Sequence, residues 1–248
     1  MTGASIDYGS RARLGVLLPS GNTAVEPQFA ALSPAGLACH FTRLKLVGST
    51  TEELLAMTQG VEAAAGLLAD ARVGLIAFHC TAVSTWAPEL EADVLRRISS
   101  SSGIPAVATS QALCEALLAL RARRIVMLSP YVQHIADREE QYLRAKGFDV
   151  LGSCNLGVST PREMLEVSPE KWLSLLLRER HAAADAYLIS CTAIRAAEVV
   201  EEAERALGRP VITSNSAMLW FASRKLGIGD NVLGWGRLGG MQPEAPND

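Results

Sequence analysis

The tripeptide Cys-Thr-Ala occurs twice in this chain, within HCTAVS from His79 and within SCTAIR from Ser190. A thiolate adds to electron-poor carbon, and a thiol or thiolate exchanges protons with carbon next to a carboxylate, so a pair of thiols offers either reaction or both. Cys80 and Cys191 each stand where an apolar run gives way to polar residues, which reads as a strand end followed by a helix start. A thiol placed there is expected to be partly exposed and near free backbone N–H groups, which stabilise thiolate and lower a pKa that starts near ~8.5. His79 directly precedes Cys80, but neighbours on extended chain point to opposite sides. It reads as a buried imidazole rather than the base of a Cys–His dyad.

Neutral donors at comparable places extend the set. Ser20 and Asn22 in PSGNT, Thr81, Tyr131 in SPY, Thr192, and Asn215 in SNSAMLW suit a substrate carboxylate and the enediolate-like charge that develops on it. Asn22 equally suits a helix N-cap, and Ser214 and Asn215 suit a cap of the helix that follows them better than a place in the cleft. Cys39, Cys114 and Cys154 read as packing, as do Trp86 and Trp220. There is no C-x-x-C pair or His/Cys cluster at ligand spacing, no G-x-G-x-x-G and no phosphate-binding loop, so neither metal nor cofactor is expected.

The elements that must carry these residues read as an α/β chain. Apolar, β-branched runs at 14–18, 39–44, 73–78, 106–108, 124–128, 149–151, 186–189 and 211–213 alternate with helix-period stretches such as 52–70 and 172–183, the pattern of parallel sheets covered by helices. Residues after Gly234 read as a Gly/Pro-rich tail. The chain also resembles itself: Pro19 and Pro130 lie 111 positions apart, and so do Cys80 and Cys191. A third block, IPAVATSQALCEALLAL, resembles RPVITSNSAMLWFASRKL at an offset of 105. So long a period implies two similar Rossmann-like halves related by a pseudo-twofold axis, with a cleft between them at the carboxyl ends of the strands. The expected division is 1–120 and 121–216, with 217–248 packing back on the first half.

Composition sets the outer bounds. The 248 residues are 49% hydrophobic and 20% charged with a net charge of −3, which suits an ordinary globular protein and offers no basic groove for nucleic acid or anionic membrane. The partner expected is a small carboxylate. No apolar stretch is long enough to span a bilayer and the N-terminus lacks a signal-type core, so a cytoplasmic location is expected. Five cysteines, an odd number at wide spacing, suit reduced thiols. Apolar helices of an α/β protein this size often pair, so a homodimer or higher homo-oligomer is expected, with no segment marking the interface.

The segments PSGNTAVEP, FHCTAVS, SPY, SCTAIRA and TSNSAMLWFASRKLG together resemble the aspartate/glutamate racemase superfamily, and within it the branch of maleate cis–trans isomerases and arylmalonate decarboxylases. The resemblance runs from about Leu14 to Gly239. It implies two α/β halves around a cofactor-free site, Cys80 as nucleophile, Cys191 as opposing acid/base, Asn22 and Tyr131 as carboxylate holders, and Thr81 and Thr192 as further donors. Decarboxylases of the branch usually carry glycine at the Cys80 position, so the resemblance implies an isomerase, with maleate-to-fumarate isomerisation through a Cys80 adduct first. A two-cysteine amino-acid or hydantoin racemase, an arylmalonate-type decarboxylase and a non-catalytic small-acid binding protein are the alternatives. The chain departs from the isomerase pattern after Leu156-Gly157, where VSTPREM, including Pro161, replaces an Asp-Asn pair.

Overall fold

The computed structural model describes residues 6–243. The first half runs β1 (Ala12–Pro19), α1 (Val25–Leu32), β2 (Leu37–Leu44), α2 (Thr51–Ala56), α3 (Val61–Asp70), β3 (Leu75–Phe78), α4 (Thr81–Ser84), α5 (Pro88–Ser102), β4 (Ala106–Ala108) and α6 (Thr109–Ala119). The second runs β5 (Arg124–Ser129), α7 (Gln133–Ala145), β6 (Asp149–Asn155), α8 (Pro161–Glu166), α9 (Pro169–Arg178), β7 (Ala186–Ile189), α10 (Val200–Leu207) and β8 (Val211–Thr213), and α11 (Ser214–Lys225) follows it. Each half builds a parallel sheet, in the orders β2-β1-β3-β4 and β6-β5-β7-β8. The two orders are the same, as the internal resemblance required.

The strands are apolar on both faces because both faces are covered. Along β1, Leu14, Val16 and Leu18 enter one core while Leu17 enters the other, following the two-residue period of a strand. The core that holds Leu14 also holds residues of β5, β7, α6 and α11, so it is common to both sheets. Strand order reverses between β1 and β3 and again between β5 and β7, and beyond the carboxyl ends of these strands lie the residues singled out above.

Local sequence explains where several elements start and stop, and corrects some expected boundaries. The stretch 52–70 is two helices and not one: Thr50 and Glu53 form a capping box at the start of α2, and a 3-10 turn at Met57–Gly60 interrupts the path before α3. Glycine is a poor interior helix residue, and the Thr58 hydroxyl donates back to the Leu55 carbonyl, both of which favour the break. The helix expected at 172–183 begins earlier, capped by Ser168 with Pro169 in its first turn, and ends at Arg178. After Gly234 the chain is no loose tail: Trp235 is fully buried, its indole N–H donates to Leu32 O at 3.1 Å, and a 3-10 turn follows at Gly236–Gly240.

Candidate active site

Cys80 lies two residues past β3, Cys191 two past β7, Tyr131 two past β5 and Asn22 three past β1. All four line one small cavity of about 40 Å³, together with Thr81 and Thr192. Leu46, Leu54, Ile135, Pro161 and Met164 supply its apolar wall. The wall is tight: a Cβ on Gly21 would stand 3.3 Å from Pro161 Cγ and 3.2 Å from Leu46 O, so a larger residue there would require Pro161 or the loop after β2 to shift by a few tenths of an ångström.

Hydrogen bonds join the two halves around the thiols. Asn22 Nδ2 donates to Thr192 Oγ1 at 3.0 Å, while its Oδ1 accepts from the N–H groups of Ala24 at 2.9 Å and Val25 at 3.3 Å. Asn22 is thus a cap for α1 and a lining residue at once. Ser214 Oγ accepts from Thr81 Oγ1 at 2.9 Å and from the Cys191 N–H at 3.1 Å, tying both Cys-Thr-Ala motifs to the first residue of α11. The motifs themselves differ. Thr81 opens α4, but no helix follows Cys191, contrary to the sequence reading; Cys191 has φ 116°, a conformation that costs a non-glycine residue roughly 1–3 kcal/mol and is sustained by its surroundings.

The expected exposure of the thiols is also corrected. Cys80 and Cys191 are 4% and 3% exposed, and burial pushes their pKa values up, to about 12 and about 11. The N–H groups of Ala82 and Val83 beside Cys80, and of Thr192 and Ala193 beside Cys191, act in the expected lowering direction but do not outweigh the loss of solvent. The Ala193 N–H reaches Cys191 Sγ at 3.3 Å, and the Tyr131 hydroxyl also favours the Cys191 thiolate. A non-catalytic site would show raised thiols too, so turnover and not resting thiol titration separates an enzyme from a binding protein.

Two of the residues singled out from sequence stand outside the cavity lining. The Ser20 hydroxyl accepts from the Leu46 N–H at 3.0 Å and donates to Leu46 O at 3.3 Å, which fixes the loop after β2. Asn215 is buried among Gln28, Thr192 O and His79: its Nδ2 donates to Gln28 Oε1 at 2.7 Å and its Oδ1 accepts from His79 Nε2 at 2.8 Å. His79 is the buried imidazole expected, also meeting Thr109 Oγ1 at 3.1 Å, and burial lowers its pKa to about 4. Sequence reasoning missed Gln28, Met164 and Glu139. The last is fully buried on α7, with Oε1 accepting from Ser190 Oγ at 2.6 Å. A signal was present for two of them, since Gln28 and Glu139 are 111 positions apart, the same offset as the cysteines.

The sequence pattern of the arylmalonate decarboxylase family matches residues 14–239. The chain belongs to this family. Within the arylmalonate decarboxylase family, the chain is 30% identical over 237 residues to the maleate isomerase of Nocardia farcinica, covering 91% of this chain and 94% of that protein. It is 26% identical over 253 residues to the maleate isomerase of Alcaligenes faecalis, covering 94% and 98%. The solved structure of a cysteine-to-serine variant of the Nocardia farcinica maleate cis–trans isomerase, with a covalently bound succinylcysteine intermediate, superposes with a TM-score of 0.85 at 27% identity, covering 92% of this chain and 98% of that one.

Proposed function

We propose that this family member is a cofactor-independent isomerase of small carboxylic acids that converts maleate to fumarate through a covalent adduct on Cys80. The observation that carries the reading is two buried thiols lining one small cavity from opposite halves, in a chain whose isomerase relative forms a succinylcysteine. The Cys80 thiolate adds to one alkene carbon. A C–S bond forms, and the π electrons move onto the neighbouring carbon and its carboxylate as an enediolate, which Asn22, Thr81, Tyr131 and Thr192 hold by hydrogen bonds. The Cys191 thiol then protonates that carbon. The former double bond is now single and rotates. Cys191, as thiolate, removes the proton again, the double bond reforms in the trans arrangement, and the Cys80 sulfur leaves as thiolate.

Burial of the two thiols in so small a cavity serves this chemistry in two ways. It keeps water from capturing the proton between the two steps, and it strengthens hydrogen bonds to the enediolate in a medium of low dielectric. The cost is the raised thiol pKa, which the backbone N–H groups at both sulfurs partly offset.

The test is a proton NMR time course of the reduced protein with maleate. Fumarate is expected from the wild type, with a loss of at least about 10³-fold in rate for a folded Cys80→Ser variant. A Cys80→Ser variant with normal activity would remove the covalent step; solvent deuterium entering Cα of an amino acid, with maleate unchanged, would point to a racemase instead.

A further inference from the structure

The reaction proposed above needs two unlike cysteines, one adding to carbon and one delivering a proton, yet the halves that present them are built alike. Burial raises both thiols, to about 12 at Cys80 and about 11 at Cys191, where the Ala193 N–H and the Tyr131 hydroxyl draw the value down, so burial alone does not make Cys191 the acid. The inequality lies one layer behind the sulfurs. On the Cys80 side every polar neighbour is neutral: Gln28 Nε2 donates to Ile194 O at 2.7 Å, its Oε1 accepts from Asn215, and Asn215 meets a His79 that burial keeps uncharged. At the equivalent place on the Cys191 side, 111 positions on, stands an acid, Glu139.

Glu139 is 0% exposed, and its Oε1 accepts from the hydroxyl of Ser190, the residue directly before Cys191. Its Oε2 is buried without a hydrogen-bond partner. The groups facing it can be named element by element. From the loop after β5 comes Tyr131, and from the end of β7 come Ser190 and Cys191. The short helix α4 carries only Thr81, Ala82, Val83 and Ser84. From α5, Glu91 accepts from Tyr142 and Ser110 one helical turn further along. On β6, Asp149 pairs with Arg144 and Cys154 meets Arg178. The adjacent Arg138 lies over the Trp86 ring at 5.1 Å. Among the described residues no cation pairs with Glu139, so a charge there acts uncompensated on what lies nearest, and that is Cys191 and Tyr131.

We propose that Glu139 is a positioning residue for the reaction: through Ser190 it fixes the strained Cys191 turn, and as a carboxylate it opposes the pull of the Ala193 N–H and the Tyr131 hydroxyl toward the Cys191 thiolate, so that a proton is held at Cys191 for delivery to carbon. Burial holds the Glu139 carboxyl up at about 7. Below that pH it is neutral and leaves Cys191 alone; above it the negative charge opposes a second negative charge on Cys191. The proposal rests on the acid role given to Cys191, but its test reads the thiols without substrate and stands whatever the substrate proves to be.

The experiment is peptide-resolved alkylation of Cys80 and Cys191 by iodoacetamide from about pH 6 to about pH 9, in wild type and in Glu139→Gln, which keeps an acceptor for Ser190 and removes the charge. At pH 6 the two proteins should alkylate Cys191 at the same rate. Above pH 7 the variant should react roughly tenfold faster at Cys191, the factor for one pKa unit, with Cys80 changed less. With maleate, kcat should fall and KM stay within about twofold. Superimposable Cys191 profiles in the folded variant, or an equal change at Cys80, would overturn the proposal. Ser190→Ala decides the matter if Glu139→Gln does not fold. Losing the serine bond raises the Glu139 pKa, so the pH at which Cys191 alkylation bends should move upward; a bend that stays in place refutes the link.

Discussion

At the scale of single residues, the site is held by side chains that serve two purposes. The sequence reads Asn22 as either a cap or a carboxylate holder; in the structure Oδ1 caps α1 while Nδ2 reaches Thr192 at the cavity wall. Asn22→Ala is therefore expected to lower stability by about 1–2 kcal/mol in chemical denaturation and to raise KM by roughly tenfold, about the worth of one hydrogen bond to a charged group. His79 gives a pH signature. Its folded-state pKa of about 4 lies below the unfolded value near ~6.5, so the unfolded chain binds the extra proton first, and the stability held above pH 6.5 is lost as pH falls toward 4, by about 3 kcal/mol in full. Glu139 works in the opposite sense: its carboxyl is raised to about 7, so its contribution is present below the unfolded value and fades as pH rises through 7. The two slopes oppose each other over the same acid window and largely cancel in the wild type, so between about pH 4 and about pH 7 the denaturation midpoint should fall with rising pH in His79→Gln and rise with it in Glu139→Gln.

At the scale of elements, the sequence carried more of the site than of its surroundings. Cysteines that end apolar runs, and a Tyr and an Asn at the ends of two other strands, were visible because strand ends are marked by a change of residue type and because the marks repeat. The burial of the thiols was not visible. It depends on α8 of one half and the loop after β2 of the other meeting over the cavity, and nothing local to Cys80 or Cys191 encodes that meeting. Ser20 and Asn215 misled for the same reason, since a polar side chain beside a cleft turns to whichever backbone group or neighbour packing leaves unpaired. Met164 on α8 shows what this covering does: it is 5% exposed and its sulfur lies 3.8 Å from Cys191 Sγ. Met164→Ala is expected to cost about 2–3 kcal/mol and to raise kcat/KM for 2-methylmaleate relative to maleate, measured by NMR on the two substrates in competition.

At the scale of the whole molecule, the parallel sheets with one strand order in each half were legible from the internal resemblance, because strand order follows chain order when similar blocks fold alike. The shared core was not. Helices α6 and α11 pack together between the sheets with Trp220 among them, and Trp235 closes the same core against α1. We propose the division 1–120 and 121–216, with the segment after Ser216 belonging to the first half. Trp235→Ala is then expected to lose about 3–5 kcal/mol, read as a fall in the denaturation midpoint with the thiol site otherwise unchanged. No described helix is long and apolar enough to cross a membrane.

The account's central claim is that Cys80 bonds to substrate carbon while Cys191 moves the proton. It is tested most directly by the mass of the Cys191→Ser protein after brief incubation with maleate and acid quenching. A gain of one maleic acid equivalent on the peptide containing Cys80, absent when Cys80 is also replaced by serine, is the expected result. An unlabelled Cys191→Ser protein that still produces fumarate would contradict the claim.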